Sequence, residues 1–414
     1  MSPPAVAVIG AGIAGLGAAH ALAGRAEVTV FEASPTAGGH VHTAMVDGTA
    51  VDMGFIVFST PSYPRLTALF AELGIASRPT AMSFSVTLPD GDERFEWSSA
   101  DPGGWFAQPR NLVRPRHWRF LAEVVRLLKV GRADLGSERT RRATLDEWLR
   151  DRGFSDDLRD RFVVPLAAAL WSLAPARCGQ FPAETYLRFL NHHGMLRATR
   201  PHPWRTVIGG SRRYVDALLA RGGFTVATGA AVTAIHRDPT GVTVVVGGRE
   251  HRFARVVVAT SAPRALALLA APTAAEAAAL GPLATSENRT VLHSDPSVMP
   301  QAPRAWASWN YRRDDPAAPV AVTYWMNRLM GLPTAPPYFV TLNPSRPLAQ
   351  VHTEAVFHHP QFDFAALDAH AALPRLQGVA RTYFAGAWTG FGFHEDGLRS
   401  GQVAAARLLA DEGA

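Results

Sequence analysis

A glycine-rich turn near the start of the chain has the residue types needed to hold phosphate groups. Gly10-Ala11-Gly12-Ile13-Ala14-Gly15 follows the apolar run 5–9, and Glu32 ends a second strand-like run twenty residues after Gly12. The first glycine permits a tight turn, the second lets the backbone approach a pyrophosphate, and the third allows close helix–strand packing. A helix N-terminus offers N–H groups to phosphates, and a carboxylate such as Glu32 accepts hydrogen bonds from a ribose. This spacing predicts a dinucleotide-binding β-α-β unit.

A second polar cluster lies near the other end of the chain. His394-Glu395-Asp396 directly precedes Gly397. Because histidine titrates near neutral pH, His394 could shuttle a proton, and we take it as the candidate catalytic residue. The alternative is structural: Glu395 and Asp396 cap the helix that follows, and His394 orients them.

Composition limits the classes of protein to which the chain can belong. Its 414 residues are 47% hydrophobic and 18% charged, which excludes a mostly disordered chain and a polytopic membrane protein. Lys+Arg number 41 and Asp+Glu 35, a balance of +6, and no nucleic-acid motif accompanies the excess. The balance fits attraction to anionic ligands or membrane surfaces. The single cysteine, Cys178, excludes an internal disulfide and a cysteine-built zinc site.

The remaining pattern indicates an α/β protein. The first residues have no basic segment typical of a signal peptide, and the longest apolar stretch, 163–174, is too short to span a bilayer, so we expect a cytoplasmic location. Residues 83–97 alternate around a turn and predict a hairpin, whereas 105–205 read as helical. In that stretch, Thr144 and Glu147 form a capping box, and Pro182 fits a first helical position. Further strands are predicted at 224–228, 231–237, 241–246, 255–259 and 383–386, with a terminal helix from Gly397.

The order of several motifs resembles the flavin amine-oxidase superfamily, which includes monoamine oxidases, phytoene desaturases and protoporphyrinogen oxidase. These motifs are Gly38-Gly39-His40, Asp52-Met53-Gly54-Phe55, Gly209-Gly210, Val256–Thr260, Tyr383–Gly386 and Gly392–Gly397. The chain most resembles a bacterial subgroup described as predicted NAD/FAD-binding proteins. The resemblance implies a Rossmann-type FAD domain from residues 1–60, 205–265 and 375–414. An α+β substrate domain would follow from 61–204, with its helical part at 105–204, and from 266–374.

The same resemblance implies which residues bind FAD. Gly38 and Gly39 would run beside the pyrophosphate, Phe55 would lie near the flavin ring, and Val232 would face the adenine. The full implied set is Gly10, Gly12, Ile13, Ala14, Gly15, Glu32, Ala33, Gly38, Gly39, His40, Asp52, Gly54, Phe55, Val232, Ala259, Gly386, Ala387, Asp396, Gly397 and Leu398. Asp396, Gly397 and Leu398 would start a helix directed at the flavin C2 carbonyl, where reduced flavin carries negative charge.

Two departures from the superfamily bear on the reaction. The usual arginine after the glycine pair is His40 here, and the only lysine, Lys129, is not in the later segment where amine oxidases carry one. The final motif has no nearby cysteine, so we expect FAD to be bound non-covalently. The interpretation is an FAD-dependent oxidoreductase that transfers hydride from a hydrophobic, lipid-like substrate to flavin N5, by desaturation or double-bond rearrangement.

Three other functions remain open. A flavin amine oxidase would produce peroxide from an amine. A nicotinamide-dependent reductase would need a second complete glycine fingerprint, which the sequence lacks. A non-catalytic lipid-binding scaffold of the same fold, as in Rab GDP-dissociation inhibitors, would not need the flavin-facing segment from Phe393 to Leu398.

Two features of the sequence bear on partners other than a hydrophobic small molecule. Residues 105–121 mix arginine with Trp105, Phe106 and Trp118, which fits either contact with an anionic membrane or a solvated helix over the substrate domain. The pairs His40/His42, His192/His193 and His358/His359 have no carboxylate at ligand spacing, so we expect no metal. We also expect no nucleic-acid partner.

Overall fold

The apolar runs form the strands of the computed structural model, which describes residues 3–91, 93–197, 202–314, 320–333 and 336–412. Its strands are β1 (Ala5–Ile9), β2 (Glu27–Phe31), β3 (Thr43–Val46), β4 (Thr49–Asp52), β5 (Val57–Ser59), β6 (Ser77–Thr80), β7 (Phe84–Asp90), β8 (Glu93–Ser98), β9 (Trp204–Val207), β10 (Thr225–Ala227), β11 (Val232–Asp238), β12 (Gly241–Val246), β13 (Arg249–Phe253), β14 (Arg255–Val258), β15 (Thr285–His293), β16 (Trp309–Arg312), β17 (Ala321–Trp325), β18 (Phe339–Leu342), β19 (Val351–Pro360) and β20 (Thr382–Phe384).

The helices alternate with these strands along much of the chain. They are α1 (Ile13–Leu22), α2 (Pro64–Glu72), α3 (Pro102–Trp105), α4 (Pro115–Asp134), α5 (Glu138–Arg141), α6 (Leu145–Asp151), α7 (Asp156–Leu158), α8 (Val164–Trp171), α9 (Pro175–Cys178), α10 (Ala183–His192), α11 (Arg212–Arg221), α12 (Ala262–Leu268), α13 (Ala274–Leu280), α14 (Met326–Met330), α15 (Phe364–His370), α16 (Leu373–Leu376) and α17 (His394–Glu412). A single π-helical turn, Arg159–Val163, leads into α8.

A five-stranded parallel sheet, in the order β10-β2-β1-β14-β20, forms the centre of the nucleotide-binding region. Its strands are apolar on both faces, as expected for a buried parallel sheet. Val6 and Val8 belong to the core that includes residues of α1 and α17, whereas Ala7 and Ile9 belong to a second core beneath a small sheet. The predicted strands of this sheet are therefore confirmed, although they are joined from five separate parts of the chain.

The small sheet is antiparallel, in the order β11-β12-β13, and covers the second face of the parallel sheet. The turn between β11 and β12 is closed by Asp238, whose carboxylate accepts the backbone N–H groups of Thr240 and Gly241. The sequence did not predict β13, because Arg249, Glu250 and Arg252 give that strand no apolar alternation.

A seven-stranded sheet in the order β19-β15-β18-β17-β16-β7-β8 carries the other half of the molecule. Its pairs are antiparallel except β16 with β7. The hairpin β7–β8 confirms the prediction for 83–97. By contrast, β15, β18 and β19 were not predicted, and they meet through pairings between distant segments.

The helices α4 and α6–α10 form most of a third core beside β7 and β8, with Trp148 and Tyr186 completely buried. The predicted capping box of Thr144 and Glu147 at the start of α6 is confirmed. Two helix starts differ from expectation. Pro182 is the N-cap of α10 rather than its first residue, with an extended ψ of 120°. The terminal helix begins at His394 rather than Gly397, so Asp396 and Gly397 lie within its first turn and Leu398 follows directly.

Strands of the parallel sheet come only from residues 5–9, 27–31, 225–227, 255–258 and 382–384 within the described parts of the chain. The sheet built from these segments therefore brings together the glycine turn after β1, the mid-chain strands β10 and β14, and the helix α17 that packs on it. The domain boundaries given above stay a prediction.

Candidate functional site

The turn from β1 to α1 requires glycine at Gly10 and Gly15. Gly10 has φ +101°, and a Cβ added there would lie 2.8 Å from the Ala259 carbonyl oxygen. A Cβ on Gly15 would lie 1.8 Å from the Gly10 carbonyl oxygen. The chain therefore packs against itself more closely than any side chain permits.

The N-terminus of α1 is open to a ligand. Its N-cap, Gly12, supplies no side-chain hydrogen bond, and the first turn contains no acidic residue. The helix dipole and the first N–H groups are thus uncompensated by the protein's own side chains. This is the arrangement that fits a pyrophosphate.

Glu32 links the two loops on either side of this helix N-terminus. Its carboxylate accepts the backbone N–H of Ala11 through Oε2 and that of Ser34 through Oε1, each at 2.8 Å. A carboxylate has about four acceptor positions. These two bonds therefore leave about two acceptor positions for other donors, and the contact with ribose hydroxyl groups stays a prediction.

A second loop, residues 37–41, runs along the same turn. The Gly38 N–H donates to the Ala11 carbonyl at 2.9 Å, and a Cβ on Gly39, which has φ +59°, would lie 3.0 Å from Gly12 Cα. The next residue, His40, accepts the Phe55 N–H at its carbonyl oxygen, 3.0 Å away. A Cβ on Gly54 would lie 2.1 Å from that same oxygen. This part of the predicted cofactor set is therefore contiguous in space.

The start of α17 lies beside the start of α1. A Cβ on Gly397 would lie 2.8 Å from Ile13 Cγ2 and 3.8 Å from the Ala387 nitrogen. A Cβ on Gly401 would lie 2.0 Å from the Ala14 carbonyl oxygen. The N-termini of α1 and α17 and the Gly39 loop are thus packed closely against one another, and we call this group of residues the cradle. Helix N-termini and glycine backbone of this kind suit the phosphates of FAD.

The adenine end of the predicted set is less open. Val232 is buried, and its carbonyl oxygen accepts a hydrogen bond from Arg264 Nη2 at 2.9 Å. The nearby Ala230 N–H donates to the Glu32 carbonyl, which brings β11 to the end of β2, while Ala33 is exposed. The assignments of individual FAD contacts stay predictions.

Asp52 is buried completely and is engaged with the protein itself. Its carboxylate accepts the Ser211 N–H at 2.9 and 3.0 Å, the Ser211 hydroxyl at 2.8 Å and the Thr43 hydroxyl. Burial raises the pKa of Asp52 to about 6, against these hydrogen bonds, which lower it. Asp52 therefore fixes the start of α11 against β3 and β4. In the sequence, only the Gly209-Gly210 motif just before Ser211 points to this contact.

His394 is buried between two aromatic side chains. Its ring stacks on Phe55, with centroids 4.0 Å apart and planes 11° apart, and its Nε2 is hydrogen-bonded to the Tyr214 hydroxyl at 2.6 Å. Burial, and secondly the charge of His40, lower the pKa of His394 to about 3, so its ring is neutral at pH 7. The catalytic assignment stays a prediction, and these contacts favour a positioning role.

Glu395 and Asp396 hold neighbouring backbone segments rather than their own helix alone. Glu395 accepts the N–H groups of Arg65 and Leu66 at 2.9 and 3.0 Å, and so caps α2. Asp396 accepts the N–H groups of Phe391 and Phe393 at 3.0 and 3.2 Å. Burial raises the pKa of both carboxyl groups.

Two polar residues that the sequence analysis missed also border this site. Ser172 follows α8, and its hydroxyl is hydrogen-bonded to Nδ1 of His359 at 2.9 Å. The His358/His359 pair was noticed only as a metal candidate, and nothing in the sequence marks Ser172. Among the described residues, no three His, Cys, Asp or Glu side chains are grouped as a metal site would require.

The sole lysine and the sole cysteine lie away from these contacts. Lys129 is exposed on α4, and Cys178 is buried in the third core, where burial raises the pKa of its thiol to about 12. In the parts of the chain that the structure describes, no helix is both long and apolar enough to cross a membrane.

Comparison with known proteins agrees with this geometry. The family described as flavin containing amine oxidoreductase matches residues 13–291, more than half of the chain. The putative flavin-containing monoamine oxidase AofH of Mycobacterium tuberculosis is 30% identical over 251 residues, 58% of this chain and 53% of that protein. The 15-cis-phytoene desaturase of Narcissus pseudonarcissus is 30% identical over 183 residues, 41% and 32% of the two chains. The aligned region thus spans about half the length or less of these curated relatives.

A solved structure shows the same fold. Cyclohexylamine oxidase from Brevibacterium oxydans IH-35A superposes with a TM-score of 0.72 at 18% identity, over 100% of both chains. The predicted α/β, amine-oxidase-like architecture is confirmed, as is the predicted resemblance to this family. The chain therefore belongs to the flavin-containing amine oxidoreductase family, and its cofactor is FAD.

Proposed function

We propose that the protein uses FAD to dehydrogenate, or to rearrange a double bond in, a hydrophobic and lipid-like substrate. When bound, FAD supplies the hydride acceptor for a substrate C–H bond. The residues that would hold it are the Gly10–Gly15 turn, Glu32, the Gly38–His40 loop and the first turn of α17. The protein's own task is then to orient the substrate and exclude water.

The observation that carries this proposal concerns the charges around Phe55 and His394. Asp52, Glu395 and Asp396 are each held by hydrogen bonds from neighbouring protein groups. Burial keeps His394 uncharged, as noted above. Because these carboxylates already accept hydrogen bonds from the protein, a protonated amine placed there would lose its hydration without a full set of new hydrogen bonds, whereas a neutral hydrocarbon has no hydrogen bonds to lose.

Aromatic side chains next to α17 form an apolar cluster, in which Phe189 and Trp171 are each only 2% exposed. Phe393 is half-buried and stacks on Phe189 of α10, with centroids 4.6 Å apart, and Phe189 contacts Trp171 of α8 at 5.1 Å. Trp306 and Trp325 pack against each other, and Trp306 packs on Phe339. A half-buried aromatic side chain such as Phe393 suits contact with a hydrocarbon chain.

Amine oxidation is the second candidate, since the curated name of AofH includes monoamine oxidase. The name of phytoene desaturase favours the first candidate. The sole lysine lies exposed on α4 rather than beside the predicted flavin site, which argues against amine chemistry of the usual kind.

The two candidates differ in an anaerobic experiment with the FAD-loaded protein. We expect compounds that co-purify with the protein, identified by mass spectrometry, to be lipid-like, and to bleach the oxidised flavin band or emerge with a moved double bond. A panel of primary and secondary amines should leave the flavin oxidised. Rapid bleaching by an amine, with peroxide formed on admitting air, would contradict the proposal. A flavin that no lipid bleaches, with no altered product, would favour the non-catalytic scaffold.

We further propose that the stretch 105–118, from the end of α3 into the start of α4, rests on a membrane and admits such a substrate. Its apolar side chains are unusually exposed: Val113 by 82%, Leu112 by 53%, Trp118 by 51% and Trp105 by 42%. The arginines around them are largely paired, for example Arg114 with Glu93. Insertion of apolar side chains, more than charge, should therefore drive binding.

Co-sedimentation with vesicles of phosphatidylcholine and phosphatidylglycerol tests this surface. The double variant Leu112→Asp/Val113→Asp should lose most of the bound fraction, and binding of the unaltered protein should persist in high salt. Val403→Asp, at a valine that is 51% exposed on α17, is the matched control and should bind normally. Equal loss in both variants, or no binding of the unaltered protein, would overturn the membrane proposal.

A further inference from the structure

Ser172 has a backbone conformation that its residue type rarely adopts. It ends α8 with φ 52° and ψ 40°, in the left-handed region. A non-glycine residue persists there only where its surroundings fix it, and such residues cluster at functional sites. Two contacts fix the preceding Trp171: its carbonyl accepts Gln361 Nε2 at 3.0 Å, and its indole N–H donates to the Phe391 carbonyl at 3.4 Å.

The partner of Ser172 is placed by equally specific contacts. The His359 ring stacks on His40, with centroids 5.8 Å apart and planes 28° apart. His40 in turn stacks on Phe357 at 5.2 Å and directly follows Gly39 of the cradle. The hydroxyl–imidazole pair therefore lies between the cofactor loop and the segment that leads into α17.

One ring nitrogen of His359 has no hydrogen-bond partner in the described part of the protein. Nδ1 of His359 is bonded to Ser172, whereas its Nε2 makes no hydrogen bond within the described residues. Both residues are half-buried rather than sealed in the core. Burial lowers the pKa of His359 to about 3, so the ring meets a ligand as a neutral group. A neutral imidazole suits a neutral oxygen rather than a carboxylate or an ammonium group.

We propose that Ser172 and His359 anchor a single hydroxyl or carbonyl oxygen of an otherwise hydrophobic substrate. This inference rests on the proposed function and narrows it: the substrate is an oxygen-bearing lipid, not a pure hydrocarbon. Ser172 sets the orientation of the ring, and Nε2 of His359 meets the oxygen. The pair then determines which carbon atom of the substrate's hydrocarbon chain faces the flavin. His359 is a positioning residue in this scheme, and Ser172 acts through it.

Ligand binding, rather than turnover, tests the anchor. Dodecan-1-ol and dodecane are titrated into the oxidised FAD-loaded protein, and the change in the flavin absorption spectrum reports binding. We expect the alcohol to bind about tenfold more tightly, the effect of one net hydrogen bond. His359→Phe keeps a ring for stacking on His40 and should abolish that preference, while Ser172→Ala should reduce it. His358→Phe, at the exposed neighbour on the opposite face of β19, is the control and should retain it.

The outcomes separate the anchor from the proposed function. If both ligands bind the unaltered protein equally, or if His359→Phe retains the preference, the anchor is wrong while the hydrophobic site stands. If neither ligand perturbs the flavin, the proposed function fails as well. FAD content and thermal unfolding are measured for each variant. A His359→Phe protein that loses affinity for both ligands alike would assign His359 to structure and overturn the anchor.

Discussion

Replacing Glu32 by alanine should weaken FAD binding by roughly ten- to a hundredfold. The carboxylate is the charged acceptor for the ribose hydroxyl groups, and a hydrogen bond to a charged group contributes about 1.5–3 kcal/mol. The same change removes the acceptor of the Ala11 and Ser34 N–H groups, which hold the two loops around α1. Fluorescence titration of FAD into the apoprotein measures the dissociation constant.

A matched control is available at the other end of β2, which Glu32 directly follows. Glu27 is exposed at the start of β2, and Glu27→Ala should leave the dissociation constant unchanged. Glu32→Gln keeps one acceptor oxygen without the charge, and should fall between the alanine variant and the unaltered protein. If Glu32→Ala binds FAD as tightly as Glu27→Ala, the ribose assignment is wrong.

The substitution Gly401→Ala, which adds a single methyl group, should lower the free energy of unfolding and weaken retention of the cofactor. A Cβ there would lie 2.0 Å from the Ala14 carbonyl oxygen, so α17 and α1 would have to move apart. Overpacking of this kind costs about 1–3 kcal/mol of the free energy of unfolding. Since both helices begin at the cradle, we expect Gly401→Ala also to retain less FAD after gel filtration.

The control for this substitution lies on the same helix. Val403 is exposed, and Val403→Ala should change the midpoint of chemical denaturation little. A Gly401→Ala protein with unchanged stability and full FAD content would show that the helices can relax, and that their contact does not set the geometry of the site.

The sequence predicted most individual strands of the parallel sheet, but it predicted contacts between elements only where those elements are neighbours in the chain. The β1-α1-β2 unit, the β7–β8 hairpin and the Thr144 cap each depend on contacts within a few tens of residues. In contrast, β15 pairs with β18 and β19 across more than forty residues, and β16 pairs with β7 across more than two hundred. No local pattern specifies such pairings, because each strand is equally compatible with several partners.

The candidate site divides in the same way. The glycines of the cradle are visible because backbone conformation and close approach demand that one residue type. The sequence does not show the role of Glu395, because this residue caps α2 by accepting the N–H of Arg65, which is 330 residues earlier in the chain. Likewise, Ser172 and His359 are 187 residues apart and share no motif.

The position of α17 has a consequence for how the protein is made. This helix completes the cradle against α1, and its Glu395 caps α2. A nascent chain therefore cannot close the cradle before the first turns of α17 have been synthesised and have left the ribosome. Fragments that stop before β20 should then bind no FAD and be colourless.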